Sequence, residues 1–436
     1  MVINLLIALT ILILLLLIGV PVVFTFLAST VYLIFSLGYD PSFLVPYGFG
    51  ELNAPVLLAI PLFIIAGSLM EKGGIGKIII EWTEQFVGRI KGGLGIVAVF
   101  SCAIFGSVSG SALAALSTIG SIMFKRLDEQ GYPRGYVAAL ISNASILGLL
   151  IPPSGIMILY AWIGNQSVLA SFLSTVIPGI IMIILLSIIN IFYMRKKPIK
   201  MSEVSVNMTL VQKTKRFGLK TYVAIPGLIM PIIVLGGIYG GIMTVTEAAA
   251  VAALYAIPVG FWIYKGLNVT NIKEVLIKAA TTTGVIMVML YAITILSRMY
   301  VMEDVPGIMT DLLFSVSENP LILLIMLNVF MLIIGMLMDD ISGVLLVTPI
   351  LLPVVVNMGI DPIHFAAILA VNLGMGNVTP PTAPLLYFGG NLAKAPINEM
   401  MKPTFIILLF AWLPTLIITT YVPEVSLFLP QLILGK

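Results

Sequence analysis

Ser107, Ser109 and Ser111 alternate through the run Gly106-Ser107-Val108-Ser109-Gly110-Ser111, and Asp339-Asp340 precede Ser342-Gly343 within a long apolar stretch. Hydroxyl and carboxylate oxygens suit a hard cation. Two proline pairs supply a complement, in Ile151-Pro152-Pro153-Ser154-Gly155 and Thr379-Pro380-Pro381-Thr382-Ala383. Neither run can continue a regular helix, because each proline lacks an N–H and disfavours helix in the residue before it. Unwinding there frees carbonyls near Gly148 and Ile151 in the first break. In the second it frees the Gly376 carbonyl beside the Thr379 and Thr382 hydroxyls. A half-helix that starts after a break presents unpaired N–H groups and positive potential, which suits an anion. The chemistry on offer is cation and anion binding. With one histidine and one cysteine in the chain, only Asp339-Asp340 could support catalysis, as an aspartyl hydrolase. No Gly-x-x-x-x-Gly-Lys-Ser/Thr loop is present for ATP hydrolysis.

These residues sit in a chain that has no soluble surface to make. Charged residues are 9% of the 436, where soluble domains carry roughly 25%. Apolar runs long enough for membrane helices recur from residue 4 to the C-terminus. The composition therefore describes an all-α polytopic membrane protein surrounded by lipid. The small net charge of +3, with no basic patch interleaved with aromatics, gives nothing for nucleic acid to bind.

Basic residues orient the chain, since positive loops stay cytoplasmic. Four basic segments stand at 72–91, 125–134, 195–220 and 265–278. Three apolar runs, near 4–20, 22–37 and 53–70, precede the first, which places the N-terminus and the turn at 38–52 outside. Segment 93–124 begins and ends beside basic loops, yet has too few residues for two crossings, which need about 40 plus a turn. It reads as a re-entrant hairpin with the serine run at its tip. Two short, tilted spans are the other reading. A broken span over 135–163 follows, then spans near 170–194, 221–239, 246–264 and 279–299. A second hairpin over 320–357 carries Asp339-Asp340 at its tip, before a second broken span and a last span at 403–421 that leaves the C-terminus outside.

The second half repeats the first. The two Pro-Pro breaks are 228 positions apart, as are Gly131 and Gly359 in the preceding turns. Each half has an amphipathic segment, a hairpin and a broken span, and the first copy starts from the basic side while the second starts from the acidic side. That is an inverted repeat, with its binding site at the midplane between the copies. Each tip faces its own break and builds an oxygen cage. Candidates for substrate contact are Ser111, Asn143, Ser154, Asp340 and Asn372. The alternatives are structural. Serines and glycines in membrane helices commonly serve close packing, Asn143 and Asn372 can fix the half-helices, and Asp339-Asp340 is a hydrated turn if the second tip is shallow. Otherwise a carboxylate at that depth is functional by default. Lone His364 and Glu247 read as helix-start residues. One charge crossing 100 mV is worth about 2.3 kcal/mol, enough for two cations to concentrate an anion.

Several stretches resemble the large membrane (permease) subunit of TRAP transporters, the tripartite ATP-independent periplasmic family. They run from Ile60-Pro61-Leu62-Phe63 and Gly92-Gly93-Leu94-Gly95 through Ser109-Gly110-Ser111-Ala112 and Ile151-Pro152-Pro153-Ser154. They continue through Thr246-Glu247-Ala248-Ala249-Ala250 and Gly359-Ile360-Asp361-Pro362-Ile363-His364-Phe365 to Asn372, Gly376 and Thr379-Pro380-Pro381. The resemblance implies a sodium-driven, elevator-type transporter in a bacterial inner membrane, with both termini periplasmic. It implies a small membrane subunit of about four helices and a periplasmic substrate-binding protein that delivers an organic acid, of the sialic acid or dicarboxylate class. It implies about two sodium sites, one at Ser107, Ser109, Gly148 and Ile151 and the other at Gly335, Gly376, Thr379 and Thr382. A transport domain of 93–163 and 320–392 would move against 1–92 and 164–319, with 393–436 as a C-terminal helix. Val245 stands where the family often has proline, and Ala383 where glycine usually follows Pro-Pro-x. A stand-alone sodium–anion symporter is the alternative within the same architecture.

Overall fold

The computed structural model describes residues 2–88, 90–198 and 210–435. Arg89 and the middle of the basic segment 195–220 lie outside the described residues. The first helices are α1 (Val2–Leu17), α2 (Val22–Leu37) and α3 (Pro41–Glu51). A single 3-10 turn (Pro55–Leu58) leads into α4 (Ala59–Lys72), and α5 (Ile75–Val87) follows. The first hairpin is α6 (Gly93–Ser109) and α7 (Ala112–Glu129). The first broken span is α8 (Arg134–Ser145), α9 (Leu147–Leu150) and α10 (Gly155–Ile163). Then come α11 (Val168–Met194), α12 (Leu210–Tyr239), α13 (Val245–Pro258), α14 (Val269–Met302) and α15 (Val305–Val316). The second hairpin is α16 (Pro320–Leu337) and α17 (Asp340–Asn357), and the second broken span is α18 (Pro362–Gly376) and α19 (Pro384–Ala393). Last are α20 (Ile397–Ile407), α21 (Leu413–Tyr421) and α22 (Glu424–Leu434).

Among the described residues, eight helices are long and apolar enough to cross a membrane, and the α8–α9 and α10 pair, bent by 44°, makes a ninth. The α1 and α2 helices, read from the sequence as crossings, are 16 residues each. The span expected at 279–299 is the middle of α14, whose 34 residues rise about 50 Å and so outreach a hydrocarbon core of about 30 Å. The outer surface is apolar. Phe35 is 81% exposed and Trp262 76%, an arrangement suited to lipid rather than water.

Two sets of packing contacts surround the hairpins and the broken spans. In one, α2 and α3 lie against α14, and α4 lies against α13 and α14. In the other, α6 packs on α7 and α8, α16 on α18, and α19 on α7 and α8. The α11 helix packs against α6, α10, α18 and α22. Asn190 explains its place. Its Nδ2 donates to the Gly92 carbonyl at 2.7 Å and its Oδ1 accepts from Tyr136 at 3.3 Å. A side chain at Gly95 would collide with that amide, its Cβ falling 2.2 Å from Oδ1. At the hairpin base, Arg134 makes two 2.8 Å bonds to Asp128 and holds that carboxyl below its ordinary range.

Two elements differ from the sequence reading. Residues 38–52, expected as a turn, contain α3, which Asp40 caps by accepting from Ser42 N at 2.8 Å. Beyond the expected last span, α22 folds back onto α11. Glu247 takes the helix-start place expected of it: its carboxylate accepts from Thr244 N at 2.8 Å in a reciprocal capping box. His364 Nε2 donates to the Thr419 carbonyl at 2.7 Å.

Candidate functional site

Each hairpin meets a broken span where neither has a side chain. A Cβ built on Gly106 of α6 would fall 2.3 Å from the Cα of Gly148 in α9. A Cβ on Gly376 of α18 would fall 2.4 Å from the carbonyl carbon of Gly335 in α16. Backbones this close can share ligands between hairpin and break. The prolines free the ligands. A carbonyl bonds the N–H four residues on, but four residues beyond Gly148 and Gly376 stand Pro152 and Pro380, which have none. Gly376 recovers a 3.0 Å bond from Thr379 N. Both Pro–Pro peptide bonds are cis.

At the first tip, Ser107 and Ser109 are buried. Ser107 Oγ donates to Ile104 O at 2.7 Å and Ser109 Oγ to Ser111 O at 3.4 Å. A hydroxyl that donates keeps its lone pairs for a further partner. Ser111 caps α7, accepting from Ala114 N at 3.4 Å. At the second break, Thr379 Oγ1 donates to Met375 O at 2.6 Å, while the buried Thr382 Oγ1 has no partner. Ala383 is fully buried and takes φ +34°, a conformation that costs a residue with a Cβ about 1–2 kcal/mol.

A cavity of about 450 Å³ joins both tips. Ser109, Ser111, Asp339 and Asp340 line it, with Pro153 and Pro384 from beside the two breaks. Asp339 accepts a hydrogen bond from Ser342. Ile60 and Phe63 of α4, with Thr282 and Ile286 of α14, also line the cavity. Its size falls in the range of small-molecule sites.

The candidates for substrate contact divide. Ser111 and Asp340 line the cavity. Ser154 is 1% exposed, its Oγ unpartnered, between two residues that line it. Asn143 and Asn372 lie away from it in hydrogen bonds between helices. Asn143 Oδ1 accepts from Trp412 Nε1 and its Nδ2 donates to Ala139 O, both at 2.7 Å. Asn372 Nδ2 donates to Asn328 Oδ1 at 2.7 Å and to Ile368 O at 2.9 Å. Trp412→Phe should therefore lower stability by about 1–3 kcal/mol, because it leaves the buried Asn143 oxygen unpaired. Denaturant unfolding of the purified protein measures this, and an unchanged midpoint would count against it. Asn377 escaped the sequence reading. It lines the cavity, is 2% exposed, and its Nδ2 has no partner. Thr282 escaped too, although Thr281-Thr282-Thr283 is a hydroxyl run within an apolar helix.

Fold and cavity together define a multi-pass membrane protein whose central cavity lies between hairpins and interrupted helices. The family described as "Tripartite ATP-independent periplasmic transporter, DctM component" matches residues 9–425. The chain is 35% identical over 379 residues to the C4-dicarboxylate TRAP transporter large permease protein DctM of Pseudomonas aeruginosa, covering 86% of each. It is 31% identical over 419 residues to the sialic acid TRAP transporter large permease protein SiaM of Vibrio cholerae, covering 96% of each. It is 32% identical over 414 residues to the isethionate TRAP transporter permease protein DctMQ of Oleidesulfovibrio alaskensis, and spans 95% of itself but 64% of that longer protein. In fold it is similar to the YdaH transporter of Alcanivorax borkumensis, with a TM-score of 0.59, 15% identity and 88% of each chain covered. The chain belongs to the DctM component family of TRAP transporters. Its relatives are permeases, which sets it among transporters rather than membrane hydrolases.

Proposed function

We propose that this chain is the permease subunit of a sodium-coupled importer of a small organic acid anion, working by elevator-type alternating access in a bacterial inner membrane. The observation that carries this reading is the pair of glycine contacts, Gly106 on Gly148 and Gly335 on Gly376, each beside a Pro-Pro break and both flanking one cavity. About two sodium ions would bind there, one at Ser107, Ser109, Gly148 and Ile151, the other at Gly335, Gly376, Thr379 and Thr382. The cation charge and the half-helix N-termini would hold the anion between them. The hairpins, the broken spans and α11 form the moving body; α4, α13 and α14 belong to the scaffold. A periplasmic binding protein delivers the substrate, and a small four-helix membrane subunit completes the complex. Both termini are periplasmic. The relatives' cargoes, C4-dicarboxylates, sialic acid and isethionate, all belong to the organic-acid class.

The test is uptake by the complex reconstituted with its binding protein. Ser109→Ala and Thr379→Ala should each cut uptake about 10-fold and raise the sodium concentration needed for half-maximal rate, in line with the loss of one ligand hydrogen-bonded or bound to a charged group. Folded yield should hold. Unchanged sodium dependence in both variants would falsify the assignment.

A further inference from the structure

Building on the transport reading above, we infer that the cavity selects a monoanion whose far end carries O–H or N–H donors, such as a sugar acid, and rejects a dicarboxylate. The argument starts from charge. Among the described residues, Ser109, Ser111, Thr282, Asp339, Asp340 and Asn377 are the polar ones that line the cavity, and no Lys, Arg or His does. The two aspartates are therefore the only ionisable side chains among the described lining residues.

The two hairpin tips offer different ends to it. The second arm of each hairpin is an 18-residue helix that starts at the tip. A helix N-terminus attracts negative charge. In α7 that end is capped by the uncharged Ser111, so its potential remains available to an anion. In α17 the cap is Asp339 and the first residue is Asp340, so two carboxyl groups already occupy that end. The unpartnered Ser154 hydroxyl lies at the start of α10, also on the first side. A single substrate carboxylate is accommodated on the side of Ser111. A second carboxylate, reaching toward Asp340, would meet like charge at low dielectric.

Hydroxyl or amino groups reaching there would instead donate to carboxylates, in the stronger, charge-assisted kind of hydrogen bond. Asn377 supplies an independent sign of a polar ligand. Its buried Nδ2 lines the cavity without a partner, and a substrate oxygen would satisfy it.

The experiment is direct binding to the purified permease complex, without the binding protein, so that no second specificity intervenes. Thermal stabilisation in saturating sodium is titrated with gluconate, glucuronate and N-acetylneuraminate as donor-bearing monoacids, succinate as dicarboxylate, and hexanoate as a monoacid without donors. At least one donor-bearing monoacid should bind about 100-fold more tightly than succinate and hexanoate, a modest share of what a site built for a substrate hydroxyl can achieve. Asp340→Asn should narrow the gap to succinate at least 10-fold; Asp339→Asn serves if that variant misfolds. Succinate binding as tightly as the best monoacid overturns the inference and leaves the transport reading standing. An unaltered gap in the Asp variants, with shallower sodium dependence, also overturns it, and makes the pair cation ligands. No sodium-dependent stabilisation by any probe overturns the transport reading and the inference together.

Discussion

Gly376→Ala should reduce sodium-driven uptake at least 100-fold. The added methyl would stand 2.4 Å from the carbonyl carbon and 2.5 Å from the Cα of Gly335. These are backbone atoms of α16, which cannot rotate aside as the end of a side chain can. Overpacking of this kind costs about 1–3 kcal/mol and sometimes more. The hairpin must then move off the broken span, and the carbonyls of Gly335 and Gly376 would lose the spacing that the proposed sodium site needs. Gly106→Ala should act alike at the other contact, where its Cβ meets the Cα of Gly148 at 2.3 Å. Gly284→Ala is the control. That glycine lies within α14 with nothing inside 4 Å of a built Cβ, so alanine should be neutral or stabilise by up to about 1 kcal/mol. Reconstituted uptake and denaturant midpoints measure all three. Wild-type uptake in Gly376→Ala would remove the glycine contact from the mechanism.

Gly67→Val should cut uptake at least 10-fold while sodium-dependent thermal stabilisation persists. Gly67 belongs to α4, and a Cβ there would stand 2.9 Å from the Cα of Ser109. The α4 helix thus touches the tip of the first hairpin backbone to backbone. A valine would oppose this one arrangement of the two bodies without entering the core of either. A body able to take a second position would remain folded and shift toward it, at the expense of the full cycle. Uptake at the native rate would mean that the tip does not return to α4 during transport. Loss of folded protein would mean that the contact is part of the core.

The breaks and tips were legible because their causes are local. Proline removes a backbone donor wherever it stands, and Asp339-Asp340 is conspicuous in an apolar run. The contacts between those pieces were not legible. Gly106 and Gly148 are unremarkable as separate residues; only the fold shows that each needs the other to lack a side chain. The same holds for Asn143, whose partner Trp412 lies 269 positions away. Its spacing before the break allowed a ligand or a brace, and its amide bonds Trp412 and Ala139. The α3 helix was missed because Pro46, Gly48 and Gly50 are poor helix formers. Packing overrides that tendency: Gly48 lies against Ile295 of α14, where a Cβ would be 2.8 Å from Cγ1. Asp40-Pro41, a cap followed by proline, was the signal that could have found it.

The amphipathic helix α5 ties the first hairpin to α12. Glu84 makes two bonds to Arg126 of α7, at 2.9 and 2.7 Å, while Glu81 pairs with Lys220 of α12 and Trp82 Nε1 donates to Thr221 at 3.2 Å. A glycine in the left-handed region stands just before it, Gly74 with φ +91°, and another, Gly92 with φ +85°, starts α6 five residues beyond its end. If these glycines serve as pivots, α5 is the stiff part of the link between them. Its 13 residues measure about 20 Å, and a link of fixed length turns sliding into rotation. If the hairpin travels while α12 stays in place, the link must swing, and the gap between its pivots cannot widen. The length of one short helix would then set the stroke of the transporter.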